Sequence, residues 1–395
     1  MGTGEKWEDK IYKYKDDISG REITRLTNYK GHSNNLYFTD QFWIRDNESF
    51  IFTSDRAGYS NLFKYDLNNY EIIQLTDLKG EDRPKGFYSK VNSAHYFWYD
   101  GVLHELSMQN LNLRTLYEPP SGFRNGSSVS ITSDGKYACF NIQEKIKEKV
   151  TGLNYAKSPQ YYKRYQEKPR AKIIKLEIES KKAEVVHEEN YYIQHVNTNP
   201  KYPHLLNFSH EGPWADIDQR IWGLNLNTGK VWKIRPQSGD AAIGHEYWFE
   251  DGERIGYHGR RLPDEKEHFF GTIKWDNTGQ IEYDFPFHCT HFSGSNKEYA
   301  IGDGRPANVQ PWFHSEGKPY IILLKWEKDH YVGPRILAYH RSTFNFTHPH
   351  ATFTPDKNHI LYSSDVTGYS QLYLVKVGDF YNLPKLDNYL NENNE

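Results

Sequence analysis

Two histidines separated by one proline form the most chemically suggestive pattern in this 395-residue chain. His348 and His350 flank Pro349 in the stretch Thr-His-Pro-His. In an extended segment, side chains two residues apart point to the same face, so both imidazoles could hold one metal ion or one anionic ligand. Pro349 has no N–H to give to a sheet ladder, which favours the lip of a strand or a loop. The alternative is a pair of solvent-facing histidines in a turn.

A second group of possible ligands lies upstream, at His288, Cys289 and His291, shortly before a Gly-Asp-Gly sequence centred on Asp303. Such a cluster is a weak metal signal by itself. It gains weight beside the His-Pro-His pattern, because a β-propeller gathers the inner strands of its blades around one axis. Three imidazoles from separate parts of the chain could then meet.

Two further residues suit the chemistry of a carboxylated substrate. Arg220 enters a predicted strand between two tryptophans, where its guanidinium could bind a carboxylate with two parallel hydrogen bonds. Its alternative role is that of a buried structural cation paired with Asp216 or Asp218. His245 follows a glycine at a strand entrance. It is either a hydrogen-bonded core histidine or a general base that titrates near neutrality.

Self-similarity is the strongest structural signal. Residues 50–65 and 360–375 both read as strand, Ser-Asp-x-x-Gly turn, strand. Weaker echoes occur at 133–140, 250–257 and 354–357. Such repeats indicate propeller blades, and blades of roughly 40–50 residues fit about seven or eight times into this length. We therefore predict an all-β chain that forms a single β-propeller domain over residues 1–395.

A polar excursion around residues 143–170 interrupts this pattern. It is rich in Lys, Glu and Tyr and has few aliphatic residues. We interpret it as an insertion between blades. Its tyrosines could line a substrate channel, but packing against the propeller is the preferred interpretation. They are Tyr155, Tyr161, Tyr162 and Tyr165.

Composition excludes several classes of protein. The net charge is −3 and the chain has no long Lys/Arg block, so nucleic acid is not an expected partner. No stretch approaches ~20 apolar residues and the N-terminus lacks a signal peptide, which predicts a soluble, cytoplasmic protein with no membrane partner. Cys139 and Cys289 are too few for a disulfide framework. No serine-hydrolase elbow, Walker loop or dinucleotide fingerprint is present.

Several different short motifs follow one another along nearly the whole chain. They are Glu22–Thr27, His32 with Asn34 or Asn35, His210–Pro213, Asp218–Trp222, His245–Trp248, Cys289–His291, Gly302–Gly304 and Thr347–His350. Taken together, this order resembles the oligogalacturonate lyases, polysaccharide lyase family 22. Each motif is short, but their joint order is specific.

The resemblance implies a seven-bladed β-propeller that binds Mn²⁺ and cleaves oligogalacturonides by β-elimination. It implies that His291, His348 and His350 are the imidazole ligands of the ion. It also implies that Arg220 neutralises the carboxylate of the substrate and that His245 is the Brønsted base.

One ligand departs from the family's pattern. The family has a glutamine three residues before His-Pro-His, and Asn345 stands there in this chain. Asparagine offers the same carbonyl oxygen on a shorter arm, so it could bind the ion directly or through water. Another divalent metal is therefore possible, since imidazoles also suit zinc, nickel or iron. His288 is a reserve candidate for the ligand at His291. We assign substrate binding to three residues. They are His210, His32 and Arg56.

These inferences predict a metal-dependent lyase for short, pectin-derived oligogalacturonides, mainly dimers and trimers. The uronate C5 proton is weakly acidic, so the enzyme must stabilise the charge that develops on the C6 carboxylate as that proton leaves. The first alternative is a lyase for another uronate-containing glycan. The second is a non-catalytic interaction platform, because fold does not fix function. The expected partner is a small acidic oligosaccharide, and the oligomeric state is open.

Overall fold

A computed structural model of the protein describes residues 2–146, 159–285, 289–295, 298–304, 319–344 and 347–387. The described residues form seven antiparallel sheets of four or five strands each. The chain is thus a seven-bladed β-propeller, as predicted. The chain divides into two compact units. Unit 1 comprises Met1–Pro84 with Tyr283–Glu395, and unit 2 comprises Lys85–Glu282.

The N-terminal part of unit 1 contains seven strands. They are β1 (Lys6–Trp7), β2 (Tyr12–Lys15), β3 (Glu22–Arg25), β4 (Ser33–Asn35), β5 (Ser49–Ser54), β6 (Asn61–Asp66) and β7 (Glu71–Gln74).

Unit 2 contains the next strands and a short helix. They are β8 (Lys85–Ser89), β9 (Ala94–Tyr99), β10 (Val102–Ser107), β11 (Leu113–Tyr117), β12 (Phe123–Asn125), β13 (Ser130–Ile131), β14 (Tyr137–Glu144), α1 (Pro159–Glu167), β15 (Arg170–Glu177), β16 (Ala183–Asn190), β17 (Ile193–Thr198), β18 (Leu205–His210), a 3₁₀ turn (Trp214–Asp216), β19 (Ile221–Asn225), β20 (Val231–Lys233), β21 (Ala241–Trp248), β22 (Arg254–Arg261), β23 (His268–Lys274) and β24 (Ile281–Phe285). The last of these, β24, begins in unit 2 and crosses the boundary at Glu282. No helix among the described residues is long and apolar enough to cross a membrane.

The C-terminal part of unit 1 completes the strand set. Its elements are β25 (Phe292–Ser295), β26 (Tyr299–Gly302), β27 (Tyr320–Glu327), β28 (His330–Tyr339), β29 (Thr352–Phe353), β30 (His359–Ser364), β31 (Gln371–Lys376) and a 3₁₀ turn (Phe380–Asn382).

Unit 1 joins the two ends of the chain within one sheet. Its three sheets have the strand orders β1-β7-β6-β5-β4, β2-β3-β31-β30-β29 and β25-β26-β27-β28. In the second of these sheets, the N-terminal strand β3 pairs with the C-terminal strand β31. This sheet carries the His-Pro-His sequence immediately before its strand β29.

The two Ser-Asp-x-x-Gly repeats are hairpins, as predicted. Gly58 and Gly368 adopt φ values of 93° and 92°, and each donates its N–H to the carbonyl of the aspartate three residues earlier at 2.9 Å. Left-handed backbone of this kind favours glycine because glycine has no Cβ. The flanking strands place aromatic pairs directly opposite one another. The pairs are Phe52 with Phe63, and Tyr362 with Tyr373. These four aromatic rings therefore pack within the sheets.

Unit 2 contains four sheets. Their strand orders are β11-β10-β9-β8, β12-β14-β15-β16 with β13 on β14, β17-β18-β19-β20 and β21-β22-β23-β24. Two of the first strands in these orders are interrupted by irregular pairing. The register shifts in β17 between Gln194 and Asn197, and in β21 between Gly244 and Tyr247. Such bulges redirect side chains and are frequent beside active sites.

Candidate active site and metal centre

Three imidazoles converge in unit 1. His291 directly precedes β25, and His348 and His350 precede β29. One potential ligand nitrogen from each lies within 4.8 Å of the other two. The ring centroid of His291 is 5.3 Å from that of His348 and 4.6 Å from that of His350. We call these residues the histidine triad. Because imidazole nitrogens are good ligands for divalent transition metals, the donor set fits a metal ion.

Asp303 fixes the orientation of the triad. Its Oδ1 accepts the backbone N–H of His291 at 2.8 Å, and its Oδ2 lies 2.7 Å from the Nδ1 of the same histidine. Oδ2 also accepts the backbone N–H of His350 at 3.3 Å. A carboxylate that accepts Nδ1–H leaves Nε2 of His291 as the ligand nitrogen, an arrangement common around metal-bound histidines. Burial raises the pKa of Asp303 to about 6. A cation held by the neighbouring imidazoles would oppose that shift.

His350 reaches the triad through an unusual backbone conformation. Its φ is 45°, so the backbone is left-handed at this residue. The expectation of an extended segment from His348 to His350 was therefore wrong at His350. The amide of Asn35, on β4, donates to the carbonyl of His350 at 2.7 Å. Strained backbone of this kind persists only where the surroundings enforce it, and it is concentrated at functional sites.

Aromatic rings surround the triad. Tyr37 packs edge-on against His350 with the centroids 5.0 Å apart, and Phe38 lies 5.1 Å from His291. Phe344 lies 4.7 Å from His348. These rings limit the rotation of the imidazoles and provide apolar surface beside a possible ion.

Unit 2 holds a buried arginine between two glutamates. Arg220 Nη1 donates to Glu211 Oε1 at 2.8 Å, and its Nε donates to Glu246 Oε2 at 3.1 Å. The Arg220 side chain is only 1 % exposed. The sequence analysis predicted that a buried Arg220 would pair with Asp216 or Asp218. This prediction was wrong about the partners, because the paired carboxylates are those of Glu211 and Glu246. Glu211 directly follows β18, Arg220 directly precedes β19, and Glu246 lies within β21, so strands of two sheets position the three side chains.

A histidine completes this network from its other side. His195 Nε2 lies 3.5 Å from Glu211 Oε2, and its Nδ1 lies 3.9 Å from Glu246 Oε1. Each glutamate therefore directs one oxygen toward Arg220 and the other toward His195. Burial opposes the ionisation of Glu211, but the charges and hydrogen bonds of Arg220 and His195 outweigh it and hold the pKa of Glu211 well below its ordinary value. We call these four residues the arginine cluster.

His245 lies beside the arginine cluster and is paired with a second histidine. Its Nδ1 is 3.3 Å from the Nε2 of His258, and its ring centroid is 5.9 Å from that of His195. Trp214 packs edge-on against His245 at 5.4 Å. A Cβ on Gly244 would lie 2.1 Å from the Trp214 ring, so this approach needs a glycine immediately before His245.

The bulges of β17 and β21 each present a histidine with a left-handed backbone. His195 has a φ of 51° and His245 a φ of 35°. Left-handed backbone is uncommon for residues other than glycine, although histidine adopts it more often than most. The two bulges therefore share this backbone conformation at a histidine, on the first strands of two sheets. Both imidazoles remain partly exposed, whereas Arg220 and Glu246 are buried.

The residues expected to bind substrate have defined partners. His210 is buried, with its Nε2 2.9 Å from Glu189 and its ring stacked on Tyr191 at 3.7 Å. His32 Nδ1 accepts the backbone N–H of Ser370 at 3.2 Å. The backbone carbonyl of His210 also accepts a hydrogen bond from Arg220 Nη1 at 3.5 Å. His210 therefore lies at the edge of the arginine cluster.

Arg56 is enclosed within unit 1. Its side chain has no exposed surface and pairs with Asp9 at 3.0 Å. It also donates to the hydroxyls of Ser54 and Ser33 at 3.2 and 3.1 Å. This environment favours a role in holding the N-terminal segment against β5.

A known family matches almost the whole chain. The model of the family described as oligogalacturonate lyase matches residues 1–381. The chain belongs to the oligogalacturonate lyase family. This confirms the resemblance drawn from the order of the short motifs and places the chain among enzymes that act as lyases.

Individual members of the oligogalacturonate lyase family match over nearly their full length. The chain is 26% identical to the oligogalacturonide lyase of Pectobacterium atrosepticum over 394 residues, covering 96% of this chain and 99% of that protein. An oligogalacturonate lyase solved in complex with manganese superposes with a TM-score of 0.85 at 23% identity, covering 96% and 99% of the two chains. The Vibrio parahaemolyticus oligogalacturonate lyase gives a TM-score of 0.84 at 21% identity, covering 96% of this chain and 100% of that one. These structures share the propeller fold.

Two of the expected ligands fall outside the described residues. They are Asn345, in place of the family's glutamine, and the reserve candidate His288. Tyr155 of the polar excursion also falls outside them. Tyr165, on α1, packs against Gly212 and donates to the carbonyl of Asp216 at 2.9 Å.

Sequence analysis missed several residues of this lyase-family site. His195 and His258 belong to no short motif, and Asp303 was noted only within its Gly-Asp-Gly sequence. The available signal was local and weak: His258 stands between Tyr257 and Gly259, an aromatic and a small residue. Such a polar residue at an inward position needs a partner.

Proposed function

We propose that this chain is a metal-dependent lyase that cleaves short oligogalacturonides by β-elimination. The observation that carries the proposal is the histidine triad, which brings three imidazole nitrogens within 4.8 Å of one another in a member of this family. Manganese is the proposed ion because a related structure contains it. The imidazoles by themselves would also suit zinc, nickel or iron.

The reaction must remove a weakly acidic proton next to a carboxylate. A bound divalent cation supplies positive charge that stabilises the enolate-like carboxylate as the C5 proton departs. We propose that His291, His348 and His350 hold that cation, with Asn345 as a further oxygen donor. Asp303 orients His291 for this task.

We propose that His245 takes the C5 proton of the uronate. A neutral imidazole has the basicity required for proton removal near pH 7. The electrons of the C5–H bond then form the C4–C5 double bond, the C4–O bond breaks, and the departing oxygen takes up a proton. The products are a 4,5-unsaturated sugar and a shortened oligosaccharide.

Arg220 has two proposed roles. The resemblance supports neutralisation of the substrate carboxylate, and the burial between Glu211 and Glu246 supports a charge-balancing role within unit 2. In either role, the two glutamates hold the guanidinium in one orientation. His210 and His32 remain proposed substrate contacts. The enclosed side chain of Arg56 favours a structural role over contact with the substrate.

A panel of oligouronides tests the proposed function. We expect purified protein to release a product with the ultraviolet absorbance of a conjugated 4,5-unsaturated uronate from di- and trigalacturonate, and chelation to abolish this activity. Product from another acidic glycan, with none from digalacturonate, would instead indicate a lyase of different specificity. Activity undiminished after complete metal removal, verified by elemental analysis, would refute the role of the ion.

A further inference from the structure

His258 contacts the proposed base through a ring nitrogen. The 3.3 Å distance joins His245 Nδ1 to His258 Nε2. The two ring planes lie only 24° apart, with centroids separated by 5.5 Å. Nearly coplanar rings that meet nitrogen to nitrogen form a hydrogen bond, in which one ring donates and the other accepts.

The surroundings make His258 the fixed member of this pair. His258 is 3 % exposed, and its backbone lies within β22 opposite Gly244 on one side and Phe270 on the other. Trp214 packs edge-on against the His258 ring at 5.5 Å. His245 occupies a bulge and is partly exposed. The pair therefore has one anchored imidazole and one that solvent or substrate can reach.

We propose that His258 is a positioning residue that accepts the Nδ1–H of His245 and thereby leaves Nε2 of His245 as the basic nitrogen. This rests on the proposed function of His245. A neutral imidazole carries one N–H and one lone pair, so a fixed proton on Nδ1 decides which nitrogen can take the C5 proton. The same contact stabilises the imidazolium that forms, because a hydrogen bond to the charged form favours it.

Two substitutions separate this role from packing. His258→Phe keeps an aromatic ring against Trp214 but removes the acceptor, and His258→Gln restores a carbonyl acceptor on a flexible side chain. We expect kcat on digalacturonate to fall roughly tenfold to hundredfold in His258→Phe, a part of what a general base contributes. KM should stay unchanged, and His258→Gln should recover most of kcat. Equal kcat in His258→Phe and wild type, or equal losses in both variants, would overturn the proposal.

Ring ¹⁵N NMR of histidine-labelled full-length protein reads the tautomer without any need for activity. His245→Ala identifies the His245 signals, and circular dichroism verifies that each variant is folded. We expect wild-type His245 to carry its proton on Nδ1, and His258→Phe to show a mixture of tautomers. A proton fixed on Nε2 of wild-type His245 would overturn the proposal. Absence of lyase activity in the wild type would instead contradict the proposed function and leave this measurement unaffected.

Discussion

The histidines of unit 1 and those of unit 2 have different partners. In the histidine triad, Asp303 accepts from His291 and from the backbone of His350. In unit 2, the Nδ1 of His245 lies 3.3 Å from the Nε2 of His258. A carboxylate partner strengthens the ligand character of an imidazole. A histidine partner can instead fix which ring nitrogen carries the proton. Under the proposed function, histidines thus serve two tasks, and their partners differ accordingly.

The charges of the two regions differ as well. The triad offers three imidazole nitrogens beside the buried carboxylate of Asp303, and this set of groups suits a cation. The arginine cluster already contains a guanidinium between two carboxylates at 2.8 and 3.1 Å. Unit 1 is therefore suited to receive an ion, whereas unit 2 has its cation built in.

The largest expected effects come from removing one histidine from each region. His348→Ala should lose the metal ion and lower activity by at least about 10²-fold, since the ion supplies the main charge stabilisation. His245→Ala should lower activity by about 10²–10⁴-fold and keep its metal content, because a general base contributes that much. Elemental analysis and the lyase assay on the same preparations make the comparison. His330→Ala, at an exposed histidine paired with Asp329, is the matched control. Loss of metal from His245→Ala would erase the distinction between the regions.

A large effect on stability is expected from Arg220→Ala. The substitution leaves the carboxylates of Glu211 and Glu246 buried without their guanidinium, and breaking a buried ion pair in this way costs about 3–5 kcal/mol. The free energy of unfolding, measured in denaturant at neutral pH, tests this. Arg114→Ala removes a surface partner of Glu105 and should cost no more than about 1 kcal/mol. Equal losses in the two variants would show that Arg220 is not a buried charge-balancing group.

The sequence predicted those features that depend on local chemistry. The hairpins at 50–65 and 360–375 could be recognised because each needs a left-handed glycine at a fixed distance from an aspartate. Convergence of His291 with His348 and His350 followed from motif order and family resemblance. It did not follow from spacing alone, because the backbone of His350 is left-handed where an extended segment was assumed.

Partners set by strand register could not be predicted in the same way. Arg220 was expected to pair with a nearby aspartate, yet its partner Glu246 lies 26 residues away and arrives on another strand. Asp303 meets His291 because Phe292 and Gly302 are paired across β25 and β26. No local pattern encodes such a pairing. His195 and His258 depend in the same way on bulges and pairings that only the folded sheets define.

A smaller effect is expected from Asp303→Asn, which tests the carboxylate of unit 1. The amide preserves the shape of the side chain but weakens its hold on His291 Nδ1, so metal affinity should fall by about 10–100-fold. Titration of metal-free protein with Mn²⁺ at fixed pH measures this. Asp365→Asn is the control, because that buried carboxylate binds Ser342 and Thr343 and not the triad. Equal weakening in both variants would mean that general packing, and not the contact with His291, sets the affinity.

The smallest expected effect concerns Glu189, the partner of His210 in unit 2. Burial opposes the ionisation of Glu189, but the contacts of its carboxylate with His187 at 3.3 Å and with His210 at 2.9 Å outweigh it and lower the pKa of Glu189 from 4.5 to about 2. A carboxylate with a lowered pKa in the folded state stabilises the fold above its unfolded pKa and loses that contribution as the pH falls through the folded value.

The difference in unfolding free energy between wild type and Glu189→Gln should therefore be constant at neutral pH and shrink between about pH 4.5 and pH 2. Denaturant titrations across this range measure it. His210→Gln should narrow the difference at neutral pH, because it removes one of the two histidines that favour the carboxylate. A difference that stays constant down to the lowest pH would show that folding does not lower the pKa of Glu189, and a difference that His210→Gln leaves unchanged would show that His210 and Glu189 are not coupled. In that case His210, unlike the carboxylate-bound His291 of unit 1, would owe its position to stacking on Tyr191.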